Sequence, residues 1–474
     1  MNKIPEIKDF ISILPALIVV SAGLVQLVVQ FFSSSKSHIQ IRLISIFALI
    51  AALISTIINL EKGLFFNEQI SITPLTVWLN IIYIITALMT VIASPKNLED
   101  HRINFSEFYP LILFSVAGMF FMTTSFDLVL IFIGLEVMSV CLYILIGMAR
   151  NEITALEATM KYFLLGAFSS GFMLMGIAFL FGGSGSTNLS VSFANLSGVG
   201  ASALYSKIGL GLFIVGVGFK VALVPFHAWT PDVYEGSLTT LSGFMASGPK
   251  SAAIGLLLII FQFIPGVTLW TILLGVIAIF SMTYGNIVAL KQNNLKRVLA
   301  YSSISHAGYV AAGIVANAGI EVIYYLILYS FMNIAAFSIL AYLEDGKRVI
   351  TYESIKDLVE THPYSAFGLL VAFFSLAGIP PLGGFWAKLF LFQKIAESDD
   401  FFYRILLIAG VVNSAIAAYY YLRVTVVAFM SGDKKADITT SDLKKNYGIS
   451  FVVVISTFAV LFLWIFVQPG RLIF

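Results

Sequence analysis

Five charged residues lie inside runs of apolar sequence long enough to cross a lipid bilayer: Glu136, Lys161, Lys220, Lys250 and Lys388. A lysine near the bilayer centre costs about 2.5–3.5 kcal/mol on insertion scales, so a membrane helix that carries one usually has a use for it. Burial disfavours the charged form of such groups and a nearby opposite charge restores it, so they can hold and release protons. The pattern therefore indicates an ion or proton path.

Glycine and proline accompany three of these lysines. The segment GVGFKVALVPFHAWTPDVYEGSLTTLSGFMASGPKSA contains Lys220 and Lys250, with a proline beside or near each, and GIPPLGGFWAK contains Lys388. Interrupted backbone at membrane depth is tolerated where a helix borders protein or a hydrated cavity. We therefore expect the helix to be loosened beside these charges.

Two histidines are candidates to join the path. His227 follows the first break in VPFHAWTPD, and His306 lies among hydroxyl side chains in YSSISHAGY. An imidazole titrates near neutral pH and can pass protons, but a purely structural histidine is the alternative at both positions. Lys161 also has an alternative, because Glu157 lies one turn before it and the two can form a simple intrahelical ion pair.

The composition is that of an integral membrane protein. The chain has 474 residues, of which 59% are hydrophobic and 11% charged, and its mean hydropathy is +0.96. A net charge of +2 without blocks of basic residues argues against nucleic acid as a partner. The single cysteine, Cys141, excludes an intrachain disulfide or a thiolate metal site, and we predict no metal and no bound cofactor.

Apolar runs able to cross about 30 Å at about 1.5 Å per residue predict fourteen membrane helices in an all-α polytopic fold. The expected spans are 11–31, 41–60, 75–94, 107–124, 127–148, 153–181, 204–226, 238–263, 267–290, 296–317, 320–343, 364–396, 402–430 and 448–469. Helices 7 and 12 are expected to be broken, and residues 182–203 to form an exposed linker.

The two broken helices are five helices apart, which predicts an internal repeat. We divide the chain into residues 1–105 with helices 1–3, a first repeat at 106–265 with helices 4–8, a second repeat at 266–432 with helices 9–13, and residues 433–474 with a loop and helix 14. Units with an odd number of helices must insert in opposite orientations, as in many transporters.

Basic residues predict how the chain is oriented. One set of alternate loops carries fifteen lysines and arginines and the other set carries six, and cytoplasmic loops are normally the basic ones. We therefore expect a multi-pass protein of the inner (plasma) membrane with both termini on the non-cytoplasmic side.

The source of energy must lie outside the chain. Moving one charge against the membrane potential takes about 2.3 kcal/mol per 100 mV, yet the sequence has no nucleotide-binding loop, no CxxC cluster and no haem or flavin motif. Two active classes remain, a subunit of a cation/proton antiporter and a pump module driven by a redox partner. A passive scaffold is a third.

Several segments resemble the antiporter-like subunits of respiratory complex I, the NADH-quinone oxidoreductase, and most closely its subunit N: VPFHAWTPDVYEG, SGPKSA, LKRVLAYSSISHAGY and AGIPPLGGFWAK. The resemblance covers helices 4–13. It implies that Glu136 and Lys220 form the charge pair of a first half-channel, that Lys161 and Lys250 bridge the halves, and that Lys388 ends the second half-channel.

The same resemblance implies the partners. The chain would be one of several membrane subunits, beside another antiporter-like subunit and small membrane subunits. NADH, FMN, iron-sulfur clusters and quinone would be bound elsewhere in the complex. Whether Lys161 or Lys220 is the main partner of Glu136 is left open by the sequence.

Overall fold

The computed structural model describes residues 4–32, 38–58, 62–264, 266–344, 349–430 and 446–472. Within them the chain is a bundle of helices, as predicted, with one small hairpin that the sequence analysis does not predict. The elements before the predicted first repeat are α1 (Ile7–Ser12), α2 (Leu14–Phe32), α3 (His38–Ile58), the strands β1 (Gly63–Phe65) and β2 (Ile70–Ile72), and α4 (Pro74–Asp100).

The segment predicted to be the first repeat contains seven α-helices among its described residues. They are α5 (Phe108–Thr124), α6 (Leu128–Gly147), α7 (Ile153–Ser184), α8 (Leu189–Ala194), α9 (Ala201–Val221), α10 (Trp229–Gly236) and α11 (Thr239–Phe261). The prediction of an exposed linker at 182–203 is wrong, because α8 lies there and buries Leu189 and Phe193 against the bundle.

The described residues after α11 are also mainly helical. Their α-helices are α12 (Leu269–Ala289), α13 (Leu295–Val315), α14 (Gly319–Leu343), α15 (Leu358–Thr361), α16 (Pro363–Ala377), α17 (Gly383–Ala396), α18 (Phe401–Met430) and α19 (Tyr447–Phe466). Most of the predicted loop before helix 14 lies outside the described residues. The division into two inverted repeats stays a prediction.

Twelve of the described helices are long and apolar enough to span a membrane. The other two predicted spans correspond to α5, which is slightly shorter at 17 residues, and to the pair α16 and α17, which share one span across a break. Each of the fourteen predicted spans therefore coincides with a helix or a broken helix.

Helices 7 and 12 are broken as predicted. In predicted span 7, α9 stops at Val221, and α10 follows beyond the predicted end at residue 226; span 12 consists of α16 and α17. The left-handed residues Ala222 and Gly378 end α9 and α16. The backbone beside Lys250 differs from the expectation: α11 runs without interruption through Pro249. A proline inside a membrane helix need not break it, because neighbouring groups satisfy the carbonyl that it frees.

The most buried helices are those nearest the predicted path. Within the spanning windows of α11 and α13, 94% of residues are buried, against 28% in α2 and α19. Helices that are apolar on all sides belong in the interior of a bundle. Lys250 and His306 lie on α11 and α13, so they occupy the centre of the fold rather than its lipid-facing surface.

One end of the bundle brings together several described segments that belong to the basic set of loops or adjoin it, and their residues line one cavity. This end contains the end of α4, the α6–α7 loop, the α10–α11 turn, the start of α13 and the end of α14. We call this the basic end. The α10–α11 turn joins the second part of broken helix 7 to the helix that carries Lys250.

Candidate proton path

Glu136 lies midway along α6. This helix begins after Asp127, whose carboxylate caps it by accepting from the backbone N–H groups of Val129 and Leu130 at 2.9 and 3.2 Å. The Glu136 carboxylate accepts a hydrogen bond from the Ser170 hydroxyl of α7 and is partly buried. The carboxylate is thus tied to α7 through a neutral group.

Lys220 lies in the last turn of α9, just before the break, and is 5% exposed. Its ammonium group donates to the Tyr143 hydroxyl of α6 at 3.1 Å. It also lies 5.4–5.6 Å from the ring centroids of Tyr143, Tyr162 and Phe219. Aromatic faces attract a desolvated cation, so this pocket suits a charged lysine.

Lys220 contacts α6, the helix that carries Glu136, at Tyr143. Tyr143 is two turns beyond Glu136 on that helix, so the two side chains lie on the same face. Among the described residues Glu136 and Lys220 do not form a direct salt bridge. The structure therefore connects Lys220 to the helix of Glu136 through Tyr143, and the pairing of the two charges stays a prediction.

Lys161 occupies a different position. Its side chain is 41% exposed and its ammonium group lies 2.6 Å from carboxylate oxygens of both Glu157 and Asp232. Asp232 also binds Arg297 at 2.9 Å. The intrahelical pair considered above is present and is extended to α10 and α13. Of the two lysines, Lys220 is the one that hydrogen-bonds to α6, the helix of Glu136.

Lys250 is held by an oxygen cluster on α13. It is 3% exposed, and its ammonium group donates to the Ser303 carbonyl at 2.7 Å and also to the Ser303 hydroxyl. No carboxylate contacts it among the described residues. The central lysine thus joins α11 to α13 through neutral acceptors alone.

His306 lies one turn beyond Ser303 on α13 and is 2% exposed. Its Nδ1 is 2.6 Å from the Tyr325 hydroxyl and its Nε2 is 3.0 Å from the Tyr421 hydroxyl. The ring stacks on Tyr329 at 4.9 Å between centroids. Each hydroxyl can donate or accept, so a neutral imidazole in either tautomer satisfies both contacts.

Lys388 reaches back across the second break. From α17 its ammonium group donates to the carbonyls of Leu376 and Ala377, the last residues of α16, at 3.0 and 3.1 Å, and to the Ser414 hydroxyl at 3.1 Å. Helix carbonyls are free here because α16 stops at Gly378. The negative end of a helix dipole favours a cation, so the break itself forms the lysine site.

His227 lies between α9 and α10. Its ring is 4.5 Å from that of Tyr284, and its Nδ1 is buried without a hydrogen-bond partner among the described residues. The structure therefore places this histidine in the first break, as predicted, beside an aromatic ring rather than in a polar network.

Sequence reasoning missed most of the groups that hold these charges. Tyr143, Ser170, Ser303 and the terminal carbonyls of α16 are neutral, and neutral groups in apolar runs do not stand out. The hydroxyls around His306 were noticed as a cluster, but Tyr325 and Tyr421 come from other helices. Only the fold reveals those contacts.

Comparisons with known proteins agree with this architecture. Residues 125–417 match the family model described as "NADH:quinone oxidoreductase/Mrp antiporter, TM". The chain is 51% identical to NADH-quinone oxidoreductase subunit N of Leptospira biflexa serovar Patoc (strain Patoc 1 / Ames), with 100% of both chains covered. It is 49% identical to the subunit of the same name in Leptospira interrogans serogroup Icterohaemorrhagiae serovar Lai (strain 56601), with 100% of this chain and 94% of that one covered.

Solved structures share the fold. A chain of respiratory complex I from Thermus thermophilus has a TM-score of 0.83 and 30% identity, covering 97% of this chain and 99% of that one. A chain of the Mrp complex from Dietzia sp. DQ12-45-1b has a TM-score of 0.82 at 17% identity, covering 98% and 95%, and this likeness concerns the fold alone. The predicted resemblance is confirmed: the chain belongs to the NADH-quinone oxidoreductase subunit N family of antiporter-like membrane subunits.

Proposed function

We propose that the chain translocates protons as a membrane subunit of an NADH-quinone oxidoreductase, driven by electron transfer from NADH to quinone in other subunits. The observation that carries this proposal is the row of buried lysines, two of which lie at broken helices. Lys250 and Lys388 have only neutral hydrogen-bond partners among the described residues, so small changes in local charge can decide whether they hold a proton.

The proposed path begins at Glu136 and Lys220 and continues through Lys250 and His306 to Lys388. Changing a unit charge about 8 Å away alters the energy of a buried ammonium by roughly 2 kcal/mol at an effective dielectric of 20. That is enough to load or unload a poised lysine. Protonation at one lysine therefore favours release from the next.

His306 is proposed to carry protons between the two lysines. Its ring accepts at one nitrogen and donates from the other, and hydroxyls of Tyr325 and Tyr421 adjoin these two atoms. Proton transfer through the ring leaves it neutral, which suits a site that is almost completely buried.

We assign supporting roles to Lys161 and His227. The Lys161–Asp232–Arg297 network ties α10 to α7 and α13, so it can hold the second part of broken helix 7 in place. His227 lies in the first break with one free nitrogen, a position from which it can exchange protons with water that enters the break.

The remaining parts of the proposal concern the assembly. NADH, FMN, iron-sulfur clusters and quinone belong to partner subunits. Another antiporter-like subunit and small membrane subunits lie beside this chain in the inner (plasma) membrane. The excess of basic residues in one set of loops supports cytoplasmic placement of the basic end, with both termini on the opposite side.

Purification of the assembly through this chain tests the proposal. We expect the preparation to contain flavin and iron-sulfur subunits, to oxidise NADH with quinone, and to acidify one side of proteoliposomes without sodium. An assembly without redox subunits, whose proton movement requires sodium, would instead identify a cation/proton antiporter.

A further inference from the structure

A polar cavity of about 330 Å³ opens at the basic end of the bundle, outside the path described above. Its lining includes five titratable side chains and the Ser237 backbone: His101, Glu152, Glu235, Lys296 and Glu344. All lie at or beside helix ends, so five separate helices meet there. The sequence analysis had assigned none of these five to the path.

The innermost carboxylate is Glu344, directly after α14, with an 8% exposed side chain. It accepts from the Thr239 hydroxyl and, at 3.4 Å, from the Asn97 amide. The Lys296 ammonium group lies 3.8 Å away. A buried carboxylate with this many partners is held in one position.

His101 connects Glu344 to the more exposed Glu152. Its side chain is 7% exposed, its Nδ1 lies 2.6 Å from Glu152, and its Nε2 lies 4.0 Å from Glu344. That Nε2 is buried and has no hydrogen-bond partner among the described residues. A titratable ring between two carboxylates has the geometry of a proton shuttle.

The occupant that fits this cavity is a proton rather than a metal ion. Among the described residues, no group of three or more acidic, histidine or cysteine side chains is arranged to hold a metal. The charged groups facing His101 and Glu344 are Glu152, Glu235, Lys296, Lys96 and Asp100. Glu235 is already paired with Arg297 at 2.6 Å. The other carboxylates, Glu152, Asp100 and Glu344 itself, outnumber the two lysines, which favours uptake of positive charge.

The cavity leads toward Lys250. Lys296 donates to the Ser237 carbonyl at 2.9 Å, and the Ser237 hydroxyl pairs with that of Ser242 at 2.7 Å. Ser242 in turn donates to the Tyr234 carbonyl at 2.8 Å. The fully buried Tyr234 faces the Ser303 side chain, which binds Lys250. These contacts run from the cavity wall through the α10–α11 turn to the serine that holds Lys250.

We propose that this cavity is a proton-loading vestibule, in which His101 passes protons from Glu152 to Glu344 for delivery toward Lys250. In each transfer the O–H bond of protonated Glu152 breaks as an N–H bond forms at Nδ1. The Nε2–H bond breaks and its proton goes to the Glu344 carboxylate. The ring starts and ends neutral with its tautomer reversed, and rotation of the ring resets it.

The 4.0 Å between Nε2 and Glu344 is longer than a hydrogen bond of about 2.7–3.2 Å. The transfer therefore runs through a bridging water or after a shift of roughly 1 Å. This inference rests on the proposed function, since it names where protons enter that path.

The test uses the whole complex in proteoliposomes and measures protons translocated per NADH together with NADH oxidation. In His101→Gln and Glu344→Gln we expect translocation below half the unaltered value with oxidation retained. His362→Gln is the matched control, because this histidine also lies at the basic end but contacts Thr361 and the Tyr342 ring instead of a carboxylate. It should translocate normally.

Chemical rescue separates proton transfer from a structural role. Added imidazole should restore translocation in His101→Ala, because it supplies the missing shuttle. Normal translocation in the His101 variants, or a loss that imidazole leaves unchanged, would overturn the vestibule. If Lys250→Gln in the same preparation abolishes translocation while the His101 variants pump normally, only the vestibule fails. If Lys250→Gln itself pumps normally, the proposed function fails.

Discussion

The two broken helices hold their lysines in opposite ways. Lys220 precedes its break, lies among three aromatic rings and hydrogen-bonds to Tyr143 of α6, the helix that carries the Glu136 carboxylate. Lys388 follows its break and is bound by two helix carbonyls and a hydroxyl. One site includes a group that can gain or lose charge, whereas the other offers fixed dipoles.

This difference suggests a division of labour. A carboxylate near Lys220 can bias that lysine strongly, and a change of its charge can be felt at Lys250. The sites of Lys250 and Lys388 stabilise an ammonium group through neutral oxygens, which do not hold a proton as firmly as a carboxylate does. We therefore expect the Lys220 site to set the local charge, and the sites of Lys250 and Lys388 to respond to it.

The largest effect is expected for Lys250→Gln, which removes the ammonium group that links α11 to α13. We expect proton translocation to fall by more than about tenfold, because proton transfer by a positioned group is commonly worth that much or more. Protons per NADH in proteoliposomes give the measurement. Lys207→Gln is the control, since this exposed lysine bonds only to the Gly198 carbonyl among the described residues. Unaltered proton translocation by Lys250→Gln would refute the placement of Lys250 in the proton path.

Ser414→Asp would add a carboxylate to the Lys388 site and so make it resemble the Lys220 site. A carboxylate about 4 Å from the Lys388 ammonium group stabilises it by about 4 kcal/mol at an effective dielectric of 20, which should trap the proton. We expect steady-state translocation to drop severalfold or more while the neutral Ser414→Asn variant retains most of it. Equal translocation rates in Ser414→Asp and Ser414→Asn would show that a carboxylate beside Lys388 does not affect translocation.

Gly378→Ala tests whether the break positions Lys388. Gly378 has a φ of +87°, and an added Cβ would lie 3.1 Å from Cδ of Lys388. Gly185 ends α7 with a φ of +71° but has no atom within 4 Å of the same position. Both alanine variants should lose about 1–2 kcal/mol of stability from left-handed backbone, measured by thermal unfolding. Only Gly378→Ala should also slow translocation, by a few fold; equal translocation in both would contradict the role of the break.

Gly166→Ala should have the smallest effect on translocation and should act only on the Lys220 site. An added Cβ would overlap the Tyr143 hydroxyl, which accepts from Lys220. Gly171 lies on the same helix with open space at that position. Loss of about 1 kcal/mol from the Lys220 contact corresponds to roughly a fivefold change in proton occupancy. Translocation should fall in Gly166→Ala and not in Gly171→Ala, and the reverse order would remove Tyr143 from the path.

The sequence predicted the helices well because they are visible as apolar runs. It predicted the buried charges because they are visible as charged residues within those runs. It predicted the two broken spans from their glycine and proline content. It could not predict which way a helix faces: Lys161 lies eight residues into α7, yet its side chain is 41% exposed. Since α7 is apolar nearly all round, its sequence does not distinguish an inward from an outward face.

Contacts between distant segments were equally hidden. Nothing in the sequence singles out His101 or Glu344, which lie at the ends of separate helices, but the fold places the two side chains 4.0 Å apart. The carbonyls that bind Lys388 belong to the backbone, which has no sequence signature at all. Such sites follow from how helices pack rather than from composition.

The most direct test of the central claim is proton translocation by Lys220→Ala in the assembled complex. We expect this variant to assemble and oxidise NADH but to translocate far fewer protons per electron, because the lysine that is paired with Glu136 in the proposed path is gone. Wild-type translocation by an assembled Lys220→Ala complex would contradict the account and leave the chain as a passive scaffold.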